Sequence, residues 1–286
     1  MAEILKGAPV AATLTEKLIS RAEKLKSKNI FPALAILRIG EKPGDISYET
    51  GAMKRCEKIG IEVKNFRLPT DTSREKILDL IHEINNDKTI HGLLMLRPLP
   101  DKKTEQEACA LLSPLKDVDC MTAGSLARIF TGLGEGYAPC TSQACVEILK
   151  YYGVELEGKN IAVLGRSLVI GKPLSMLLES ENATVTMCHS KTRELEKICR
   201  NSEIIVAAIG KAKFVNENFV SQNQIIIDVG INLDENNKLC GDVDFENVEN
   251  FVKAITPVPG GVGAVTTAVL AGHVIEAAES IYNSAA

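Results

Sequence analysis

The stretch Ile161-Ala-Val-Leu-Gly165-Arg-Ser167-Leu-Val-Ile-Gly171-Lys-Pro173 decides the fold. Four apolar residues, Ile161 to Leu164, read as a short interior strand, and Pro173 suits the first turn of a helix that continues through Leu174, Met176, Leu177 and Leu178. A strand, a tight turn and a helix N-terminus aim backbone N–H groups and the positive end of a helix dipole at one spot, which suits a phosphate. The stretch therefore predicts a dinucleotide site. Its spacing of Gly165, Ser167 and Gly171 departs from the usual G-x-G-x-x-G, and glycine turns also join strands to helices where no ligand binds.

Downstream, Ala183 to Cys188, Ile204 to Ile209 and Gln224 to Asp228 read as three more strands separated by polar or helical segments, which makes a nucleotide-binding α/β domain. Upstream, strands are expected at Ala33 to Leu37, Ile61 to Leu68 and Ile90 to Leu96. Helices are expected at Pro9 to Lys26, Ser47 to Ile59 and Ser73 to Asn86. Repeated βα alternation implies a parallel sheet, and α/β proteins bind ligands at the strand ends. Tyr48 and the segment Leu96-Arg97-Pro98-Leu99-Pro100 belong to such ends, so a substrate cleft is expected there. Lys116 to Cys120 and Gly132 to Gly136 read as loops, and Pro139 opens a helix that runs to Tyr152, so a domain boundary falls near residue 138. The glycine-rich Ile255-Thr-Pro-Val-Pro259-Gly-Gly-Val-Gly263 precedes a last helix from Thr266 to Ala278.

Two domains fit a chain of 286 residues. A net charge of -4 without a Lys/Arg cluster excludes a nucleic-acid footprint and favours a small ligand. No run reaches about 18 uninterrupted apolar residues and the N-terminus lacks a secretory pattern, so a soluble cytoplasmic protein is expected, with no membrane partner. Eight cysteines without a C-x-x-C pair argue against a zinc site and a disulfide framework. No metal is expected.

Taken together, Gly165-Arg-Ser167 with Gly171-Lys-Pro173, Lys116-Asp-Val-Asp119, Asp228-Val-Gly-Ile-Asn232, Gly241-Asp-Val and Thr256-Pro-Val-Pro-Gly-Gly-Val-Gly263 resemble the FolD family, the bifunctional methylenetetrahydrofolate dehydrogenases/cyclohydrolases. The resemblance covers nearly the whole chain. It implies an N-terminal folate-binding domain at 1–138, rejoined by the C-terminal helix 266–286, and a Rossmann-type NADP-binding domain at 139–265, with a cleft between them and a homodimer as the usual assembly. The implied chemistry is oxidation of methylenetetrahydrofolate by NADP, then hydrolysis of the methenyl product to formyltetrahydrofolate. By the same resemblance Tyr48 lines the folate site, Asp119 binds the pterin ring, and Pro259, Gly260 and Gly261 contact the substrate. The cofactor would meet Gly165, Arg166, Ser167, Gly171, Ser190 and Ile231. As plain structural residues, Tyr48 could be a half-buried helix position and Asp119 a turn or cap.

The chain also departs from the family pattern. Four residues after the tyrosine the family has a catalytic lysine, one helical turn on, but here Ala52 stands there. Lys54 is no substitute, because two helical residues rotate a side chain by about 200°. The family's Val-Gln-Leu-Pro-Leu-Pro becomes Met95-Leu96-Arg97-Pro98-Leu99-Pro100, so its glutamine is Leu96. Nearby, Cys120 replaces a glycine, Ser142-Gln143-Ala144 replaces Pro-Lys-Gly, and Ala264-Val265 replaces Pro-Met. These changes lead us to expect a dehydrogenase whose cyclohydrolase activity is weak or lost. The alternatives are a fully bifunctional enzyme and a folate- or nucleotide-binding paralogue without turnover. NADP is expected over NAD, because Cys188-His189-Ser190-Lys191-Thr192 carries no acid where an NAD site usually has one to bind the ribose hydroxyls. If Arg166 and Lys191 are only solvated charges, NAD stays open.

Overall fold

The computed structural model describes residues 2–285 and divides into two compact units. In chain order the elements are β1 Glu3–Ile4, α1 Gly7–Lys26, β2 Ala33–Ile39, α2 Pro43–Ile59, β3 Glu62–Leu68, α3 Arg74–Asn86 and β4 Gly92–Met95. Next come α4 Lys102–Leu111, α5 Ala123–Thr131, α6 Cys140–Tyr151, β5 Asn160–Leu164, α7 Gly171–Ser180, β6 Thr184–Cys188 and α8 Leu195–Arg200. The chain closes with β7 Ile204–Ala207, β8 Ile225–Asp228, β9 Asn232–Leu233, β10 Leu239–Cys240, α9 Phe245–Val248, β11 Ala254–Ile255 and α10 Thr266–Ala285.

One unit comprises Thr141–Thr266 with the chain up to Ala12. Its sheet has the order β1-β11-β8-β7-β5-β6, and every pair in it is parallel. The inner strands β5, β7 and β8 read as unbroken apolar runs because both their faces are covered. From β5 the chain moves to β6 on one side and then returns to β7 on the other. Such a switch point leaves a crevice beyond the carboxyl ends of the strands. The core beside this sheet gathers Ala162, Leu164, Ile205, Ala207, Ile226 and Ile255 with Val215, Val243 and Val248.

The other unit comprises Thr13–Cys140 with the chain from Thr267 onward. Its parallel sheet has the order β3-β2-β4. Central strand β2 is wholly buried, with Ala35, Leu37 and Ile39 turned toward a core completed by Ile77, Ile81 and Ile84 of α3. Capping marks the helix ends. Ser73 accepts the Lys76 N–H at the start of α3, and Gly60 ends α2 in the left-handed region at φ +85°.

The expected limits need one correction. Residues up to Ala12 group with the Thr141–Thr266 unit rather than with 13–140, because β1 adds to the edge of its sheet by pairing with β11. Residues 1 and 286, the outer limits of the expected domains, lie outside the described residues. Among the described residues no helix is long and apolar enough to cross a membrane. All eight cysteines are free thiols, six of them buried.

Candidate active site

At the end of β5 the chain must turn into α7 in six residues, and backbone contact controls the turn. Gly165 has φ +127°, and a Cβ on it would collide with the Ala208 carbonyl, while a Cβ on Gly171 would collide with the carbonyl of Gly165. Only glycine serves at both places. The Ser167 hydroxyl accepts the Ile170 N–H at 3.1 Å, and α7 begins at Gly171, so its positive end faces the turn. The expected motif is thus a strand, a turn and a helix in fact as well as in sequence.

Beside it opens a pocket of about 400 Å³. Gly165, Arg166, Ser167 and Ser190 line it together with His189, Ala208, Ile209, Lys211 and Phe214. No carboxylate lines this pocket, and Arg166 and Lys211 give it positive charge. Lys211 lies 5.6 Å from the centre of the Phe214 ring, near enough for a cation–π contact. The pocket fits an anionic, partly aromatic ligand such as a dinucleotide. Of the expected cofactor residues, Gly171 shapes the turn without lining the pocket. Ile231 is 71% exposed and lies outside the lining. Lys211 and Phe214 escaped the sequence reading. A lysine following Gly210 just past a strand end was the available signal.

Pro259, Gly260 and Gly261 also belong to the nucleotide-binding unit. The Gly260 carbonyl accepts the Gly7 N–H at 2.8 Å, which ties this loop to the start of α1. Gly260 has φ +99°, a backbone shape that requires glycine.

In the other unit, α2 carries Tyr48 half-buried and turns Glu49, Ala52, Cys56 and Ile59 inward as one stripe. Ala52 is 0% exposed, so a longer side chain there meets packed protein. Lys54 is exposed, as its helical phase requires. The charge on the stripe is Glu49, a buried carboxylate that accepts Arg38 Nε at 2.5 Å and Arg67 Nε at 2.7 Å. Arg38 also donates to the Gly40 carbonyl. Leu96 follows β4 at 7% exposure, and its N–H bonds the Leu37 carbonyl at 2.9 Å. Leu37 pairs with Met95 and Arg38 with Arg67, so the parallel register sets Leu96 beside Arg38 at the strand ends.

Asp117 and Asp119 divide the work of their loop. Asp117 is fully buried and structural, accepting the N–H groups of Met121 and Thr122 at 2.7 Å and the Ser125 hydroxyl at 2.6 Å. Asp119 is half-buried, and its Oδ1 accepts the Cys140 N–H at 3.1 Å. Desolvation raises the Asp119 carboxyl above the usual carboxylate range. Cys120 takes the left-handed conformation at φ +57°, where the family's glycine would sit unstrained. Burial pushes the thiols of Cys56, Cys120, Cys145 and Cys199 up to about 12, so they stay protonated and are no nucleophiles.

Fold and pocket define an α/β protein with a dinucleotide-type pocket in one unit, while Tyr48 and Asp119 both belong to the other. Comparison with known proteins narrows this class. Residues 139–282 match the family model of the tetrahydrofolate dehydrogenase/cyclohydrolase NAD(P)-binding domain, and residues 5–119 match that of its catalytic domain. A bifunctional protein FolD of Clostridium botulinum is 53% identical over 279 residues, covering 98% of this chain and 99% of that protein. The crystal structure of the bifunctional FolD enzyme of Campylobacter jejuni superposes with a TM-score of 0.92 at 35% identity, covering 98% and 99% of the two chains. The Trypanosoma brucei dehydrogenase-cyclohydrolase, solved with NADP and an inhibitor, gives 0.91 at 29% identity and covers 98% of each chain. The chain belongs to the tetrahydrofolate dehydrogenase/cyclohydrolase family.

Proposed function

We propose that this chain oxidises methylenetetrahydrofolate to methenyltetrahydrofolate with NADP and hydrolyses the product to formyltetrahydrofolate, the pair of activities its bifunctional relatives are named for. The observation that carries the reading is the pocket beside Gly165, with Arg166 and Lys211 in its wall and no carboxylate. The turn N–H groups and the α7 N-terminus suit a pyrophosphate, and Arg166 suits the added phosphate that separates NADP from NAD. When bound, NADP supplies a ring carbon that accepts a hydride.

The residues of the chain then have to align two carbons. Oxidation leaves a delocalised amidinium cation, so no proton donor or acceptor is obligatory in that step. In this reading Tyr48 lines the folate site and Asp119, already oriented by the Cys140 N–H, accepts N–H donors of the pterin. Pro259, Gly260 and Gly261 contact the substrate, and the protein works as a cytoplasmic homodimer. Sedimentation of the purified chain tests the dimer.

A second reading keeps the oxidation and makes hydrolysis weak or lost. It is favoured by Ala52 and Leu96, which are buried and apolar where the family resemblance places a lysine and a glutamine. Hydrolysis must activate water and move protons, and neither side chain can do so. The names of the relatives weigh the other way. Following NADPH and the methenyl compound together after mixing protein, NADP and methylenetetrahydrofolate separates the two. NADPH without methenyl build-up supports the bifunctional reading, and NADPH with methenyl build-up supports the second. No NADPH overturns both and leaves a binding paralogue.

A further inference from the structure

Two buried carboxylates of the nucleotide-binding unit have no part in the chemistry above. Asp242 is fully buried and its acceptor positions are filled. Its Oδ2 takes the N–H groups of Ile209 at 2.5 Å and Gly210 at 3.0 Å, and its Oδ1 takes the Lys211 N–H at 2.8 Å and Asn232 Nδ2 at 2.9 Å. Asp228, the last residue of β8, holds the next layer. Its Oδ1 accepts the N–H groups of Gly230 and Asp242, and its Oδ2 accepts that of Val243, each at 2.9 Å. Glycines make room for both acids, since a Cβ at Gly230 would collide with the Asp242 carboxylate and one at Gly241 with that of Asp228.

We propose that Asp242 is a positioning residue for the cofactor, which holds the loop after β7 in its binding shape, and that Asp228 acts through Asp242. The inference rests on the NADP reading of the pocket. Ile209 and Lys211 line that pocket, and the loop between them has little order of its own, since Gly210 is exposed with φ +71°. Three successive N–H groups turned to one carboxylate supply the order from outside. They also fix the backbone that carries Lys211 toward Phe214. A loop ordered before binding spares the ligand the entropy of ordering it.

The test uses the full chain. Amide hydrogen exchange on cofactor-free protein should show Ile209, Gly210 and Lys211 protected although they lie in a loop; exchange at open-loop rates overturns the proposal. Fluorescence titration of NADPH should show the Kd rising about tenfold or more in Asp242→Asn and about threefold in Asn232→Ala, while the KM for methylenetetrahydrofolate moves by less than about twofold. If Asp242→Asn keeps its circular dichroism and binds NADPH as the wild type does, the proposal fails. If that variant does not fold, Asn232→Ala and the exchange data decide, and an unchanged Kd in Asn232→Ala counts against it. Wild-type protein with protected amides that binds no NADPH overturns the cofactor reading instead.

Discussion

Around Gly165 the chain is shaped by its backbone, and around Tyr48, in the other unit, by its side chains. The nucleotide pocket depends on two glycines that admit no Cβ, a helix start and a loop pinned by a buried carboxylate. The glycine turn and the helix start therefore read clearly in the sequence, whereas the pinned loop with Lys211 did not. The region of α2 and the end of β4, where we place the folate, depends on which side chain projects from a helix or a strand end. Such positions can change without disturbing the fold, and here Ala52 and Leu96 pack quietly into the core. A protein can therefore keep its backbone-made turn while the side chains on α2 and after β4 differ from the family pattern.

The largest effect that could break this contrast is at the backbone-made site. Gly165→Ala should weaken NADP binding by about 100-fold or more, because the added methyl meets the Ala208 carbonyl and alanine resists φ +127°. Retained affinity in a binding titration would show that the turn is not the phosphate site. Arg166→Ala should weaken NADP by roughly 10-fold to 100-fold and NAD far less, since charge-assisted bonds to the added phosphate are worth roughly 1.5 to 3 kcal/mol. Equal losses for the two cofactors would remove Arg166 from that role. Asp119→Asn should lower folate affinity about tenfold and leave NADP unchanged in calorimetric titrations, and a fall in NADP affinity would blur the line between the two sides.

Acid should also act with opposite signs on two buried groups, one in each unit. His91 is buried with Nδ1 accepting the Ala33 N–H at 3.1 Å, and desolvation lowers its pKa from 6.5 to about 4. Its neutral form is favoured by folding, so its contribution is present above pH 6.5 and is lost as pH falls from 6.5 toward 4. Asp228 is raised from 3.8 to about 6, because desolvation outweighs the three N–H groups it accepts. Its contribution is present below 3.8 and is lost as pH rises through 6. Hydrogen exchange at pH 5 against pH 7 should show protection falling in the unit that holds β2 to β4, and His91→Gln should flatten that fall. The smallest effect is expected at Cys120→Gly, where relief of the left-handed backbone and loss of a buried side chain nearly cancel, leaving a change in stability under about 1 kcal/mol.

Much of this was legible in the sequence. The long apolar runs gave β2, β5, β7 and β8, and Ser73, Gly60 and Pro173 marked helix ends where they occur. Helices α4 and α5 were missed, being short, ten and nine residues, and started by Asp101 and Thr122 next to stretches that read as loops. Strands β1 and β11 have two residues each and exist only through pairing with partners far along the chain. On the site, helical spacing rightly put Ala52 one turn from Tyr48 and Lys54 off that face. Spacing does not reveal depth, so the full burial of Ala52 and the Arg38–Glu49–Arg67 cluster beside it in the stripe appeared only in three dimensions.

With its nucleotide side intact, the protein should still oxidise a folate despite Ala52 and Leu96. The most direct measurement mixes purified protein with NADP and methylenetetrahydrofolate and follows NADPH. NADPH should form at a rate that saturates with both ligands and is far slower with NAD. Protein that binds both ligands and forms no NADPH would contradict this.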